Sequence, residues 1–257
     1  MKNYTSYCFD LDGTVYRGST VIPEAREFIH FLRAQGIRPF YVTNNAKMTQ
    51  QQIYEKLSGM GIELERDHIM TSAIATAKYI AKYYPNETAF IIGETGLYEA
   101  LEQEGIPIVE DHAQLVVQGL DTTLNYEKME LAGYQLQNGA KFIATNGDLK
   151  IPKERGFVPG NGSLVRLLAE VSNVEPISIG KPEPHMLAAL QETFQLEKSR
   201  MIMIGDNYET DILAGIHFGI DTCHVNTGVS PTEQVRMQKL QPTYYVQTLE
   251  ELKNFFK

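Results

Sequence analysis

Short apolar runs alternate with amphipathic segments along the chain, and polar turns follow most of these runs. A short apolar run that ends in a polar turn is typical of a buried strand, whereas apolar positions three and four residues apart predict a helix. The early pattern predicts strands at 7–9 and 38–43, a helix at 23–35, and a helix that Asn44 and Asn45 cap and that runs to about residue 57. This alternation indicates a parallel α/β sheet.

The same alternation returns late in the chain, and a further α/β stretch lies between the two parts. The late pattern predicts strands at 177–180, 201–205, 222–225 and 244–246, helices at 184–194 and 208–218, and a terminal helix. The middle stretch predicts strands at 89–93, 115–119 and 141–145, with helices at 97–104 and 126–137. Polar clusters follow the early and late strands, where open parallel sheets bind their ligands. We therefore expect residues 1–78 and 178–257 to form one domain that carries the chemistry, with residues 79–177 inserted as a second.

Composition and charge narrow the class of protein. A 257-residue chain with 43% hydrophobic and 21% charged residues can bury the cores of two modest domains. Its formal net charge of −9 argues against nucleic acid or an anionic membrane surface as a partner. No apolar run approaches the roughly 20 residues of a membrane span, and the first residues lack a secretory signal. We expect a cytoplasmic protein in which Cys8 and Cys223 are buried free thiols.

The strongest chemical signal is the sequence Asp-Leu-Asp-Gly-Thr at 10–14, directly after the first predicted strand. Two carboxylates at alternate positions of an extended turn project to the same side, where they can share a cation or divide the roles of nucleophile and acid. A solvated Asp-Gly turn is the plain alternative. A calcium loop is disfavoured, because Thr14 and Val21 stand where that loop needs acidic ligands.

Two further signals follow later strands. Thr43, Asn44 and Asn45 offer a hydroxyl, two amides and the N–H groups of a starting helix, which together suit an oxyanion, although an ordinary cap is an alternative. Lys181 directly follows the apolar strand predicted at 177–180. A lysine at the end of a strand can bind an anion or lie exposed on the surface. Each signal is weak when taken alone.

The fourth signal follows the most apolar strand of the chain. Asp206 comes directly after Gly205 at the end of that strand, and Asp211 lies about one helical turn further on. With the earlier signals, these residues supply paired carboxylates, an oxyanion site, a cation and a third carboxylate. Each group follows a separate strand of one expected sheet. This combination favours phosphoryl transfer, which depends on positioning and charge neutralisation.

The four motifs resemble those of the haloacid dehalogenase (HAD) superfamily of hydrolases. Asp10–Thr14, Thr43, Lys181 and Gly205–Asp211 match its motifs in order and without departure. The insert is similar to the cap of the NagD-like (p-nitrophenylphosphatase, subfamily IIA) branch, which includes bacterial acid sugar phosphatases. The resemblance implies a Rossmann-like parallel-sheet core with an inserted α/β cap domain.

The resemblance also implies roles for single residues. Asp10 would be the nucleophile that forms an aspartyl-phosphate, and Asp12 would serve as acid and then base. Asp10, the backbone carbonyl of Asp12, and Asp206 would bind Mg²⁺, with Asp211 and Asn207 orienting these ligands. The residues expected to hold phosphate oxygens are Thr43, Asn44, Asn45 and Lys181. The candidates for selecting the leaving group from the cap are Asp121, Asn146 and Asp148, for which ordinary turns and caps are an equal alternative.

These expectations converge on a magnesium-dependent phosphatase of small phosphorylated metabolites. Sugar phosphates and sugar-acid phosphates are the leading substrates, and p-nitrophenyl phosphate is the expected test compound. A phosphomutase and a non-catalytic sensor of phosphorylated metabolites are the alternatives. The presence of both Asp10 and Asp12 argues against the sensor, which would not need both carboxylates. An exposed edge of the cap could support a homodimer.

Overall fold

The computed structural model describes residues 3–256 of the chain. The strands are β1 (Ser6–Phe9), β2 (Tyr16–Arg17), β3 (Thr20–Val21), β4 (Phe40–Thr43), β5 (Ile69–Thr71), β6 (Ala89–Ile92), β7 (Leu115–Gln118), β8 (Lys141–Ala144), β9 (Lys150–Lys153), β10 (Gly156–Pro159), β11 (Ile177–Ser178), β12 (Met201–Gly205), β13 (Asp221–Val225) and β14 (Tyr244–Val246). The helices are α1 (Pro23–Ala34), α2 (Gln50–Gly59), α3 (Ser72–Tyr83), α4 (Thr95–Gln103), α5 (Tyr126–Gln137), α6 (Asn161–Ser172), α7 (His185–Phe194), α8 (Leu213–Phe218) and α9 (Thr232–Val235). Short 3₁₀ segments lie at Arg66–His68, Lys198–Arg200 and Leu249–Phe256, and one π-helical turn lies at Tyr208–Ile212.

The first of two compact units comprises the described residues of Met1–Thr43, Gln50–Met70 and Lys181–Lys257. It contains the sheet β14–β13–β12–β1–β4–β5, in which β1 pairs in parallel with both β4 and β12. Strands β1, β4 and β12 are buried along their whole length, which explains their continuous apolar sequences. The strand order runs outward from β1 in both directions. The carboxyl ends of β1, β4 and β12 therefore meet at a switch point, where ligands bind in such sheets.

The second unit comprises Asn44–Thr49 and Thr71–Gly180. Its sheet has the order β11–β8–β7–β6, and all of its pairs are parallel. Apolar side chains of the sheet pack with those of α5 and α6 into one core, which includes Phe90, Val116, Phe142, Leu136 and Val165. Strands β9 and β10 form an antiparallel hairpin that is largely exposed. The sheet is thus a separate α/β layer with its own core.

Several predicted elements differ from the structure. The helix expected directly after Asn44 and Asn45 was wrong in its start, because α2 begins only at Gln50. The side-chain oxygen of Asn45 instead accepts hydrogen bonds from the N–H groups of Lys47 and Met48, which forms a turn. The sequence patterns also missed α3, α6 and both hairpins, and the expected terminal helix is a 3₁₀ segment.

The second compact unit runs from Thr71 to Gly180 and also includes Asn44–Thr49, whereas the sequence predicted an inserted domain at 79–177. The assignment of these ranges to a core and a cap stays a prediction. Residues 1, 2 and 257 of the predicted core lie outside the described residues. None of the described helices is both long and apolar enough to cross a membrane. Cys8 and Cys223 are buried free thiols, as expected.

Two helical glycines of the second unit provide a matched test of its packing. A Cβ at Gly162 in α6 would overlap the carbonyl oxygen of Gly147, whereas a Cβ at Gly133 in α5 would meet its nearest neighbours at 3.9 Å. We expect Gly133→Ala to raise the free energy of unfolding by up to about 1 kcal/mol, since alanine favours the helix. We expect Gly162→Ala to lower it by about 1–3 kcal/mol through overpacking. Urea unfolding measures both changes, and equal effects of the two substitutions would contradict this packing.

Candidate active site

Asp10 lies immediately after β1, and its backbone N–H donates to the carbonyl of Ile204 in β12 at 2.9 Å. The residue is only 8% exposed. Its Oδ1 accepts a hydrogen bond of 2.6 Å from the ammonium of Lys181. Its Oδ2 accepts none from the residues that the structure describes. One oxygen of Asp10 is therefore tied to a cation, and the other is available to a reactant.

Lys181 connects three elements of the first unit. Its ammonium donates to Oδ1 of Asp10 at 2.6 Å, to Oδ1 of Asp211 at 2.8 Å and to the carbonyl of Val42 in β4 at 2.9 Å. Burial alone would lower the pKa of Lys181, but the carboxylates of Asp10 and Asp211 outweigh it and raise the pKa above its ordinary value. Lys181 thus stays charged although it is only 2% exposed.

Asp206 follows β12 in a tight enclosure. Its Oδ1 accepts a hydrogen bond from the hydroxyl of Thr14 at 2.9 Å, and its Oδ2 accepts one from the N–H of Val229 at 2.6 Å. A Cβ at Gly13 would lie 2.5 Å from Oδ1, and a Cβ at Gly228 would overlap Oδ2. Gly13 also has a positive φ of 98°, which favours glycine. Two glycines and two donors therefore fix the orientation of this carboxylate.

Asp211 lies in the π-helical turn and uses both of its oxygens. Oδ1 accepts hydrogen bonds from Lys181 and from the hydroxyl of Thr210, and Oδ2 accepts one from the N–H of Asn207 at 3.0 Å. The side chain of Asn207 accepts instead from the N–H of Glu209 at 3.1 Å. Asn207 therefore orients Asp211 through its backbone.

The carboxylates of Asp10, Asp206 and Asp211 are buried and offer oxygens that lie within 4.8 Å of one another. Burial, followed by the charge of Asp211, raises the pKa of Asp10 well above its usual range and raises that of Asp206 to about 6. A single lysine leaves this cluster with surplus negative charge. An all-oxygen donor set with surplus negative charge suits a divalent cation.

Asp12 and Thr43 complete the predicted residues of the first unit. Asp12 is exposed, and its backbone pairs with that of Tyr16 in an isolated bridge. Thr43 is buried and is the last residue of β4. The structure thus brings Asp10, Lys181 and the later carboxylates into direct or near contact and places Asp12 two residues after Asp10.

Predicted phosphate and cap residues form a hydrogen-bonded group in the second unit. The amide of Asn44 donates to both carboxylate oxygens of Asp148 at 3.2 Å. The amide of Asn146 donates to the backbone carbonyl of Asn44 at 2.9 Å. Asn45 closes the turn described above. The roles of these residues in holding phosphate or selecting a leaving group stay predictions.

Asp121 is buried in the same unit. Its Oδ1 accepts from the N–H of Thr123 at 2.8 Å, and its Oδ2 accepts from the ammonium of Lys128 at 3.1 Å. These contacts lower the pKa of Asp121 against the opposing effect of burial. These contacts alone explain why a carboxylate can be buried at this position, and no bound ligand is needed. The role of Asp121 in selecting a substrate stays a prediction.

The sequence patterns did not identify the loop that follows β13. This loop provides the Val229 N–H for Asp206, and the hydroxyl of Thr227 donates to the carbonyl of Gly13 at 2.6 Å. The sequence Asn-Thr-Gly-Val-Ser at 226–230 is a polar, glycine-containing segment after an apolar strand. That is the same signal that identified Asp206, so the loop could have been found by applying it once more.

The enclosure of Asp206 predicts the effect of adding one methyl group. Gly228→Ala should displace the carboxylate and weaken the binding of a divalent cation by about ten-fold or more, as changes around metal ligands do. Gly59→Ala is the matched control, because among the described residues no atom outside the adjacent backbone of its own helix lies within 4 Å of a Cβ at this position. Calorimetric titration with Mg²⁺ measures both variants. Wild-type affinity in Gly228→Ala would show that this enclosure does not position a metal ligand.

Comparison with known proteins agrees with this geometry. Residues 7–107 match the haloacid dehalogenase-like hydrolase family model, and residues 178–252 match a HAD-hydrolase-like model. The acid sugar phosphatase of Staphylococcus epidermidis is 46% identical over 245 residues, which are 95% of each chain.

Solved structures show the same fold. A double mutant of the thermostable NPPase from Geobacillus stearothermophilus is 41% identical, with a TM-score of 0.92 over 98% of each chain. The 4-nitrophenylphosphatase of Thermotoga maritima is 31% identical, with a TM-score of 0.92 over 98% of this chain and 97% of that one. These similarities confirm the family expected from the four motifs. The chain belongs to the haloacid dehalogenase-like hydrolases, and it is a phosphatase of the NagD-like branch.

Proposed function

We propose that the protein is a Mg²⁺-dependent phosphatase that hydrolyses the phosphate monoesters of small sugars and sugar acids through an aspartyl-phosphate on Asp10. The observation that carries this proposal is the state of the Asp10 carboxylate. Lys181 holds its Oδ1 at 2.6 Å, while its Oδ2 has no hydrogen-bond partner among the described residues.

Asp10 attacks the phosphorus of the bound ester with Oδ2, and the bond between phosphorus and the leaving oxygen breaks. Lys181 stays charged and fixes the other oxygen, so the carboxylate keeps one orientation. The hydroxyl of Thr43, the last residue of β4, would donate to a phosphate oxygen. Positioning by rigid strand ends supplies most of the rate enhancement in this kind of transfer.

Asp12 moves the protons of the reaction. It gives a proton to the leaving oxygen as the alcohol departs, and it then takes a proton from the water that attacks the phosphorus of the aspartyl-phosphate. Phosphate is released, and the Asp10 carboxylate is restored. The exposed position of Asp12, two residues after Asp10, suits an acid and base that must reach both an alcohol and water.

The donor set fits Mg²⁺, which prefers oxygen ligands and binds proteins through few carboxylates. Asp10, the backbone carbonyl of Asp12, and Asp206 would hold the ion, and Asp211 would orient this group. The ion would neutralise the charge that the phosphate brings among the carboxylates. Support for the substrate class comes from the 46% identity to a protein named acid sugar phosphatase.

Removal of the nucleophile tests the proposal. Asp10→Asn should reduce phosphate release from p-nitrophenyl phosphate and from a panel of sugar and sugar-acid phosphates by at least about 10³-fold. Chelation of the metal should abolish release by the wild type. Asp67→Asn, an exposed aspartate in a 3₁₀ segment of the same unit, is the control and should keep wild-type turnover. Full metal-dependent turnover by Asp10→Asn would contradict the proposed mechanism.

Lys181→Met tests the role of the buried cation. The substitution leaves Asp10 and Asp211 buried without their ammonium partner, and the loss of one partner of such a pair costs about 3–5 kcal/mol. We expect this loss in the free energy of unfolding without metal, together with loss of phosphatase activity. Chemical unfolding with and without Mg²⁺ measures it. A variant as stable as the wild type would show that the lysine does not balance these carboxylates.

A further inference from the structure

Lys56 is a partly buried cation of the first unit that lacks an anionic partner in contact. It lies in α2, and its ammonium is 3.7 Å from the centre of the Tyr16 ring. It makes no ion pair within 4.0 Å with any residue that the structure describes. By contrast, the partly buried Lys253 of the same unit pairs with Glu27 and Glu250. The ammonium is not enclosed by the protein, so an anion from outside the chain can reach it.

Tyr16 presents a second polar group at the same place. The residue is 8% exposed, yet its hydroxyl has no hydrogen-bond partner within residues 3–256. Its backbone is fixed, since its carbonyl accepts from the N–H of Gly13 at 2.7 Å and its N–H donates to the carbonyl of Leu11 at 3.1 Å. The hydroxyl oxygen is not itself enclosed by the protein, so a group from outside can reach it. The Tyr16 hydroxyl is therefore also a donor that is available to a ligand.

Both groups lie in the electrostatic field of Asp12. The phenol of Tyr16 is a neutral donor at neutral pH, because a phenol ordinarily ionises only at about pH 10. Burial lowers the pKa of Lys56, and the carboxylate of Asp12 opposes this effect. The backbone bridge between Asp12 and Tyr16 fixes this neighbourhood. A group bound by Lys56 and Tyr16 would therefore lie close to Asp12.

The position of Lys56 and Tyr16 near Asp12 determines which part of a substrate they can contact. Under the proposed function, Asp10 attacks the phosphorus and Asp12 protonates the leaving oxygen. A group near Asp12 but outside the contacts of Lys181 thus belongs to the leaving alcohol, next to the ester oxygen. One ammonium and one neutral hydroxyl match the single charge and two oxygens of a carboxylate. A second phosphate would bring about −1.5 to −2 charges beside the carboxylates of the site.

We propose that Lys56 and Tyr16 form a subsite that binds the carboxylate of a phosphorylated hydroxy acid. The two residues would then determine the preference for acidic over neutral leaving groups. This inference rests on the proposed function, and it assigns the specificity to the unit that carries the nucleophile.

A matched pair of substrates tests the subsite. In 2-phosphoglycerate the carbon that bears the ester carries a carboxylate, and in glycerol 2-phosphate it carries a hydroxymethyl group instead. The wild type should favour 2-phosphoglycerate in kcat/KM by about ten-fold or more, since a hydrogen bond to a charged group is worth that much. Lys56→Met should remove most of this preference. Tyr16→Phe keeps the ring beneath the ammonium and should reduce the preference several-fold.

Lys198→Met is the control variant. The ammonium of Lys198 lies 4.3 Å from the centre of the Phe218 ring, so this substitution also removes a cation above an aromatic ring of the first unit. Lys198 precedes β12, whereas Asp206 follows that strand. The control should keep the wild-type preference between the two substrates.

The outcomes separate this inference from the proposed function. Equal kcat/KM values of the wild type for both substrates, or an unchanged preference in Lys56→Met, would overturn the subsite. Metal-dependent release from p-nitrophenyl phosphate would at the same time uphold the phosphatase. No release from any phosphate monoester would reject the proposed function, and the subsite with it. If Lys56→Met does not fold, as judged by circular dichroism, the result for Tyr16→Phe decides.

Discussion

The ammonium of Lys181 is the contact on which the site depends. It joins the residue after β1, a backbone carbonyl of β4 and the turn after β12 through hydrogen bonds of 2.6, 2.9 and 2.8 Å. The strand order places these three elements side by side, so one side chain can reach all of them. A cation held this way lets Asp10 and Asp211 approach each other in a buried place, where two carboxylates alone would repel. The same contact leaves Oδ2 of Asp10 without a hydrogen-bond partner among the described residues.

The sequence predicted the elements with the strongest patterns. Strand β12 and helix α5 have the predicted bounds, because a long apolar run and a clear helical period leave little choice. The start of α2 was wrong for a physical reason. An asparagine side chain can cap a helix or close a turn with equally good hydrogen bonds, and only the contacts of Lys47 and Met48 decide between them.

The sequence predicts those site residues that directly follow an apolar strand. It does not predict the contacts between segments that are distant in sequence. Asp10 and Asp206 stand directly after apolar strands, so their positions follow from the pattern alone. The contacts of Asp206 with Thr14 and Gly228 join segments that are distant from each other in sequence, so the pattern of each segment does not show which residues of the other it meets. The contact between the Lys56 ammonium and the Tyr16 ring likewise joins two segments that the sequence does not connect.

The two buried thiols of the parallel sheet can report the local opening of its strands. Cys8 in β1 and Cys223 in β13 are fully buried, and burial raises the pKa of Cys8 to about 12. An enclosed and protonated thiol resists alkylation, so a reagent can label either residue only after the strands separate locally. Since β1 leads to Asp10, the rate of labelling of Cys8 follows the opening of the strand that precedes the proposed nucleophile. The native sequence thus contains a chemical reporter of this opening.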